Sequence, residues 1–139
     1  MTHHIILRVI SILLFPFLLT FAIEIQMNGE STPGGGFQAG AILATAVILL
    51  AQIFGLKKAK QWLPLDMIKA FTCIGILIYA GTGFAGIAMK SAFLDYHLFS
   101  STSTQSGQQL GIFLVELGVG LSVFSVIVLF YYLFAGRKA

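Results

Sequence analysis

The sequence predicts an all-α integral membrane protein of four transmembrane helices with both termini on the cytoplasmic side. Hydrophobic residues make up 58% of the 139 residues and charged residues only 9%, against about 25% charged in ordinary soluble domains. Four windows are long and apolar enough to cross a bilayer, which takes about 20 residues each. The expected spans, about 5–27, 37–56, 67–89 and 110–133, leave room for a single membrane domain.

The first span has Pro16 at its centre, which a membrane helix tolerates as a kink where neighbours satisfy the freed carbonyl group. Arg8 lies near one end of this span and Glu24 near the other. The competing interpretation is a cleaved signal peptide, but "LTFAIE" is a poor cleavage site. We therefore predict that the first span is retained.

The connections between spans differ in composition. A glycine-rich segment, "PGGG" at 33–36, precedes the charge-free second span, and a lysine-rich segment with Trp62 follows it. Trp at such a boundary is typical of a membrane interface. The polar segment 90–109 before the fourth span has too few apolar residues to bury itself, and we predict that it is mobile.

The basic residues predict the orientation. Seven of the eight Lys and Arg residues fall on one side of the predicted spans, and only Lys90 falls on the other. The seven are Arg8, Lys57, Lys58, Lys60, Lys69, Arg137 and Lys138. Because cytoplasmic loops carry an excess of basic residues, this side is predicted to be cytoplasmic.

Glu116 is the first candidate for chemistry, because it falls inside the fourth span. Counted from residue 110, it would lie about 9 Å below the outer end. An acid at the centre of a span costs about 2.5–3.5 kcal/mol and usually marks an ion or proton path. The alternative is a buried hydrogen bond that orients the helices.

Glu24 lies about three residues from the outer end of the first span, where an acid facing water is the simpler interpretation. The predicted topology also places Glu24 and Glu116 at similar depths. Two carboxylates in contact would share a proton or hold a cation. This pairing is a hypothesis, and a distance between the two carboxylates well beyond hydrogen-bond or cation-bridging range would exclude it.

Glycines supply the packing signals. The run at 33–36 is either a tight turn or an unwound helix start, where bare backbone groups could coordinate ions. Small residues spaced by four, which let membrane helices approach, include Gly40 with Ala44, Gly81 with Ala85, Thr82 with Gly86 and Gly118 with Ser122. They indicate close packing within the chain, with partner helices, or both.

Other site classes receive no support. No phosphate-binding loop, zinc spacing or nucleophile motif is present. His3 and His4 lie at the terminus and Cys73 in an apolar stretch, so we expect no metal site, no cofactor and no disulfide. Basic residues at span ends also give no patch for nucleic acid.

The segment "TPGGGFQAGAILATAVILL", 32–50, resembles the signature of the MnhB/MrpB family, the B-type subunits of the Mrp-type multisubunit sodium/proton antiporter. "WLPLD", "GILIYAGTGFAG" and "LVELGVGLSV" resemble later parts of that family in the same order, so the resemblance covers nearly the whole chain. Its signature falls on Pro33, Gly34, Gly35, Gly36 and Phe37. Its third-helix motif falls on Gly81, Thr82 and Gly83, and its acidic fourth helix on Glu116 and Gly118.

Two positions depart from the family pattern. Glu116 stands where the family commonly has Asp, which keeps the charge and lengthens the side chain by one methylene. Glu30 follows Gly29 where family members often have His. If that His takes part in ion handling in the family, this chain handles the ion differently.

The resemblance implies a small non-catalytic subunit of a plasma-membrane complex of a prokaryote that exchanges Na⁺ for H⁺. Its partners would be the other antiporter subunits and the surrounding lipid. One alternative is the equivalent subunit of a membrane-bound hydrogenase-type respiratory complex. Two others are a free-standing four-helix proton-coupled transporter and a scaffold without an ion-binding role. With its intramembrane acids confined to the outer half, the chain is expected to be a subunit rather than a complete antiporter.

Overall fold

The computed structural model describes residues 2–29, 34–88, 93–94 and 104–137, with side chains from residue 5 in the first range and from residue 107 in the last. The described residues form helices and turns, without strands. Four of the helices are long and apolar enough to cross a membrane, which confirms the predicted all-α membrane fold, while the cytoplasmic placement of both termini stays a prediction. The helices are α1 (Thr2–Met27), α2 (Gly36–Phe54), α3 (Leu56–Trp62), α4 (Leu65–Ala88) and α5 (Thr104–Gly136).

The four long helices lie side by side in the order α1, α2, α5, α4. Helix α2 packs along α1 on one side and along α5 on the other, and α4 packs along the far side of α5. Helices α2 and α5 both begin at the same end of the molecule, so they run parallel, whereas the other neighbouring pairs are antiparallel. As an outer member of the row, α1 leaves most of its large apolar side chains exposed, as a lipid-facing helix requires.

One end of the row, which we call the basic end, gathers cationic and aromatic side chains. Arg8 of α1 lies 4.9 Å from the centre of the Phe54 ring on α2, and Phe54 in turn packs edge-on against Trp62. Lys60 of α3 lies 5.8 Å from the ring centre of Tyr132 on α5. These cation–π contacts link α1 with α2 and α3 with α5 at this end. The opposite end, where α2 begins, we call the glycine end.

The expected second span, 37–56, is too long at its carboxyl end. Helix α2 stops at Phe54 because Gly55 adopts φ +88°, a conformation that L residues rarely adopt. The lysine-rich segment then forms the short helix α3 instead of a loop, with Ala59 buried against the core. Helix α3 ends at Trp62, shortly before Pro64, since the residue that precedes a proline avoids helical angles.

The other boundaries also shift. The third expected span, 67–89, corresponds to α4 at Leu65–Ala88, with Asp66 favourably placed in its first turn. The fourth, 110–133, is much shorter than α5, which has 33 residues. The end of the polar segment that we predicted to be mobile, 104–109, therefore forms the first turns of α5, while 90–92 and 95–103 of that segment lie outside the described residues. Glu116 lies about 18 Å along α5 from its first residue, and its depth of about 9 Å below the outer end of the span stays a prediction.

Helices α4 and α5 approach so closely that their backbones touch. A Cβ atom on Gly75 would lie 2.7 Å from the amide nitrogen of Ser122, and one on Gly118 would lie 2.9 Å from the carbonyl oxygen of Gly75. One turn further towards the basic end, the Thr72 hydroxyl donates to the Ser125 hydroxyl at 2.8 Å, and Ser125 donates to the Leu121 carbonyl. Small residues and one interhelical hydrogen bond thus hold this pair, as is usual in lipid.

We expect Ser125→Ala to destabilise the chain by only about 0.6 kcal/mol, the average for such hydrogen bonds in membranes. The loss is small because the Thr72 hydroxyl can donate instead to the Ile68 carbonyl, which is 3.0 Å away. Unfolding of the purified chain by SDS, followed by circular dichroism, measures the change. Ser122→Ala is the control, since that hydroxyl bonds within its own helix to Val119. A loss several times larger, or an equal loss in the control, would contradict this assignment.

Candidate functional site

At the glycine end, α2 and α5 are in backbone contact. A Cβ atom on Gly36 would overlap the carbonyl oxygen of Glu116 and lie 2.9 Å from the amide nitrogen of Gly120. One turn later, a Cβ atom on Gly40 would overlap the carbonyl oxygen of Gly120. Residues four apart lie on the same face of a helix, so the 36/40 spacing on α2 matches the 116/120 spacing on α5.

The Glu116 side chain reaches from α5 to the turn that leads into α2. A Cβ atom on Gly35 would lie 3.0 Å from Oε1 of Glu116, and one on Gly29 would overlap Oε2. Gly35 also has φ +149°, a conformation that only glycine adopts readily. The angle of the turn therefore favours glycine at position 35, and the Glu116 carboxylate lies close to it. The Glu116 side chain itself is half-buried.

The start of α2 offers a favourable electrostatic environment for this carboxylate. The first amide groups of a helix have no acceptor within the helix, and Gly35, which caps α2, has no side chain to accept from them. The helix dipole also places partial positive charge there. An anion at such a position gains about 0.3–1 kcal/mol, and up to about 2 kcal/mol when partly buried. The geometry thus lowers the cost of keeping an acid inside a membrane span.

A small cavity adjoins Glu116. Its volume is about 30 Å³, and we call it the Glu116 cavity. The residues that line it are Gln26, Met27, Gln109, Ile112, Phe113 and Glu116. Gln26 also lines a second, much larger cavity of about 340 Å³ between α1, α2 and α5, whose other lining residues are all apolar or glycine. Gln26 therefore stands between a polar cavity and an apolar one.

Glu24 is placed differently from Glu116. Its side chain is exposed on α1, and the α1 residues that line the Glu116 cavity are Gln26 and Met27. A residue two positions before Gln26 points about 200° away around a helix, so Glu24 projects away from the side that meets α5. The pairing of Glu24 with Glu116 stays a prediction, and the direction of Glu24 on α1 argues against it.

The predicted signature is divided between described and undescribed residues. Pro33 and Glu30 lie outside the described residues. Gly34 lies close to α1, where a Cβ atom would be 3.0 Å from a methyl carbon of Ile25. Gly35 and Gly36 make the contacts with α5 described above, whereas Phe37 is 61% exposed. The glycines of the signature thus face the protein and its phenylalanine faces outward.

The three residues of the third-helix motif point in different directions. Gly81 is exposed, and outside its own stretch of helix no atom of the described residues lies within 4 Å of a Cβ atom placed on it. Thr82 is buried, and its hydroxyl donates to the Tyr79 carbonyl at 2.8 Å. A Cβ atom on Gly83 would overlap the ring of Phe93. Gly118, by contrast, lies at the crossing of α4 and α5.

Sequence reasoning missed three of the residues around Glu116. Gln26 gave no signal, because one glutamine near the end of an apolar span is unremarkable in composition. Gly29 and Gly120 were not recognised as packing positions, although the four-residue spacing of Glu116 and Gly120 resembles that of Gly36 and Gly40. No group of three potential metal-binding side chains (His, Cys, Asp or Glu) occurs among the residues that the structure describes.

Comparison with known proteins gives a consistent result. Residues 6–129 match the family model described as a domain related to the MnhB subunit of Na⁺/H⁺ antiporter. The B-type subunit of a Na⁺/H⁺ antiporter from Alkalihalophilus pseudofirmus is 29% identical over 86% of this chain and 86% of its own length. The putative antiporter subunit mnhB2 of Staphylococcus haemolyticus is 30% identical over 99% of this chain and 98% of its own. The B-type subunit from Bacillus subtilis is 26% identical over 91% and 94%.

Proposed function

This chain belongs to the MnhB family of Na⁺/H⁺ antiporter subunits, and on that premise we propose that Glu116 lies on an ion or proton path through the complex. The chain is a multi-pass protein of the plasma membrane and one subunit of a multisubunit antiporter. In our proposal its role is non-catalytic: it supports assembly and supplies one acidic group. Its partners are the other antiporter subunits and lipid, and the ions exchanged are Na⁺ and H⁺.

The placement of the Glu116 carboxylate carries this proposal. It lies beside Gly29 and Gly35 near the start of α2, and Glu116 lines a small cavity. The helix dipole offsets only part of the cost of an acid in a span, about 2.5–3.5 kcal/mol at the centre. A glutamine of the same shape would make the same packing contacts without that cost. The charge therefore favours a role in ion or proton transfer over a role in packing alone.

The orientation of the chain follows from the basic end. We propose that this end, with Arg8 and Lys60, faces the cytoplasm, as the positive-inside rule predicts. The glycine end then faces outward, and Glu116 serves the outer part of the path. The exposed apolar surfaces of α1 and α4 are available to lipid and to neighbouring subunits.

Replacing Glu116 with glutamine tests the proposal. Vesicles that contain the whole complex would be assayed for Na⁺-dependent proton transport, and assembly would be checked on native gels from the same samples. We expect Glu116→Gln to assemble normally and to reduce exchange at least about tenfold, because glutamine keeps the shape but cannot carry a proton. Glu116→Asp is the matched control and should retain a substantial part of the activity.

Normal exchange in the assembled Glu116→Gln complex would contradict the proposal. The acid would then have a structural role, and the chain would be a packing partner for the subunits beside it. Equal loss in Glu116→Gln and Glu116→Asp would show instead that side-chain length matters more than charge.

A further inference from the structure

The Glu116 cavity is large enough for one small ligand. A cavity needs a volume of about 10–15 Å³ to hold one water molecule, and the volume of this cavity is about 30 Å³. A water also needs two to four polar partners, and the lining supplies the Gln26 amide, the Gln109 amide and the Glu116 carboxylate. Among its lining residues Glu116 is the titratable one, since the other five carry no charge.

The Gln26 side chain shows what kind of ligand would fit. Its Nε2 is buried and has no hydrogen-bond partner among the residues that the structure describes. Its Oε1 is directed to α5, where a Cβ atom on Gly120 would lie 2.6 Å from it. A buried amide donor without an acceptor is costly, so a ligand beside Gln26 is expected to bring an acceptor.

This requirement separates the two ions that the complex exchanges. A dehydrated Na⁺ has no lone pair to accept from an N–H group, and its charge opposes the positive end of that group. A water molecule accepts from the amide and can donate its own protons to a carboxylate. The large cavity on the other side of Gln26 is lined by apolar side chains and glycines, so it offers such a water no further partners.

We propose that one water molecule occupies the Glu116 cavity and bridges the Gln26 amide to the Glu116 carboxylate, so that this site handles protons rather than Na⁺. Gln26 is then a positioning residue that acts through the water. This inference rests on the proposed function of Glu116 and adds which of the two ions it serves.

The functional test is Gln26→Met in the complete complex, with Gln38→Met as the control. Methionine keeps the length of the side chain and removes the amide. Gln38 is an exposed glutamine near the start of α2, at the glycine end. We expect Gln26→Met to move the pH of half-maximal exchange upward by about one unit, because the carboxylate loses a hydrogen bond that favours its charged form. The Na⁺ concentration for half-maximal exchange should not change. Gln38→Met should leave both quantities at their normal values.

A tenfold rise in the Na⁺ requirement with an unchanged pH profile would overturn the proposal in favour of a cation site. An unchanged pH profile together with an unchanged Na⁺ requirement would also overturn it, since the cavity would then have no part in exchange.

A density map of the unmodified complex, determined with and without Na⁺, tests the occupant directly, even where Gln26→Met fails to assemble. The proposal predicts one peak within hydrogen-bonding distance of both Gln26 and Glu116 in both maps. An empty cavity, or a peak present only with Na⁺, would refute it. A bridging water together with normal exchange in Glu116→Gln would refute the proposed function of Glu116 but not the presence of the water. Failure of the proposed function can thus be distinguished from failure of the proposed water.

Discussion

Gly36→Ala is expected to separate α2 from α5 and to destabilise the chain by about 2–3 kcal/mol or more. The added methyl group would overlap the carbonyl oxygen of Glu116 and lie 2.9 Å from the amide nitrogen of Gly120. Both of these atoms belong to the backbone of a continuous helix, so they cannot move aside as a flexible side chain could. The helices must separate instead. Unfolding of the purified chain by SDS and the amount of assembled complex on native gels both measure this effect.

Gly81→Ala is the matched control for Gly36→Ala. It makes the same chemical change in another membrane helix, at a position where a Cβ atom meets no other described part of the chain within 4 Å. The chain alone should therefore be as stable as before, or slightly more stable because alanine favours helix. Equal destabilisation by the two substitutions would contradict the assigned contact between α2 and α5. Loss of assembly in Gly81→Ala without loss of stability would place a partner helix at Gly81.

Gly29→Ala is expected to reduce exchange at least tenfold while leaving the fold intact. The added methyl group would take the space of the Glu116 carboxylate, and the end of a glutamate side chain can rotate away at little cost. Gly29 has no positive φ, so alanine does not strain the backbone there. Displacing a reacting group by about 1 Å can cost up to about a hundredfold in rate. Exchange in vesicles, with assembly checked on the same samples, measures the loss.

Shortening the acid should compensate for the added methyl group. Aspartate lacks one methylene of glutamate, so Gly29→Ala combined with Glu116→Asp should exchange faster than Gly29→Ala alone. Such non-additivity indicates direct contact between two positions. If the double variant were as slow as the product of the two single effects, the carboxylate would not lie against Gly29 during transport.

Hydropathy predicted the four spans because each helix must meet lipid with apolar side chains along most of its length. It predicted the boundaries less well. The end of α2 depends on one glycine, Gly55, whose φ of +88° no hydropathy pattern reveals. The start of α5 lies in a polar segment that resembles a loop in composition, although it continues the α5 helix.

The candidate site could be predicted only in part. Glu116 and the glycine run were recognisable singly, since a membrane acid and three successive glycines are both unusual. Their contact was not, because it depends on α2 lying beside α5, and no feature of either segment specifies its neighbour. Gly81 and Gly118 show the same limit. Each begins a pair of small residues spaced by four, yet Gly118 lies at a helix crossing and Gly81 faces outward.

Each helix in the row α1, α2, α5 and α4 packs mainly along its neighbours in that row, and α1 also reaches α5 beside Gly120. Such a row has two broad sides with a thin core between them. Glu116 lies where the two middle helices of this row, α2 and α5, meet. A neighbouring subunit on one broad side would therefore lie within about one helix diameter of this acid, about 10 Å. No helix of the row would have to move aside for this approach.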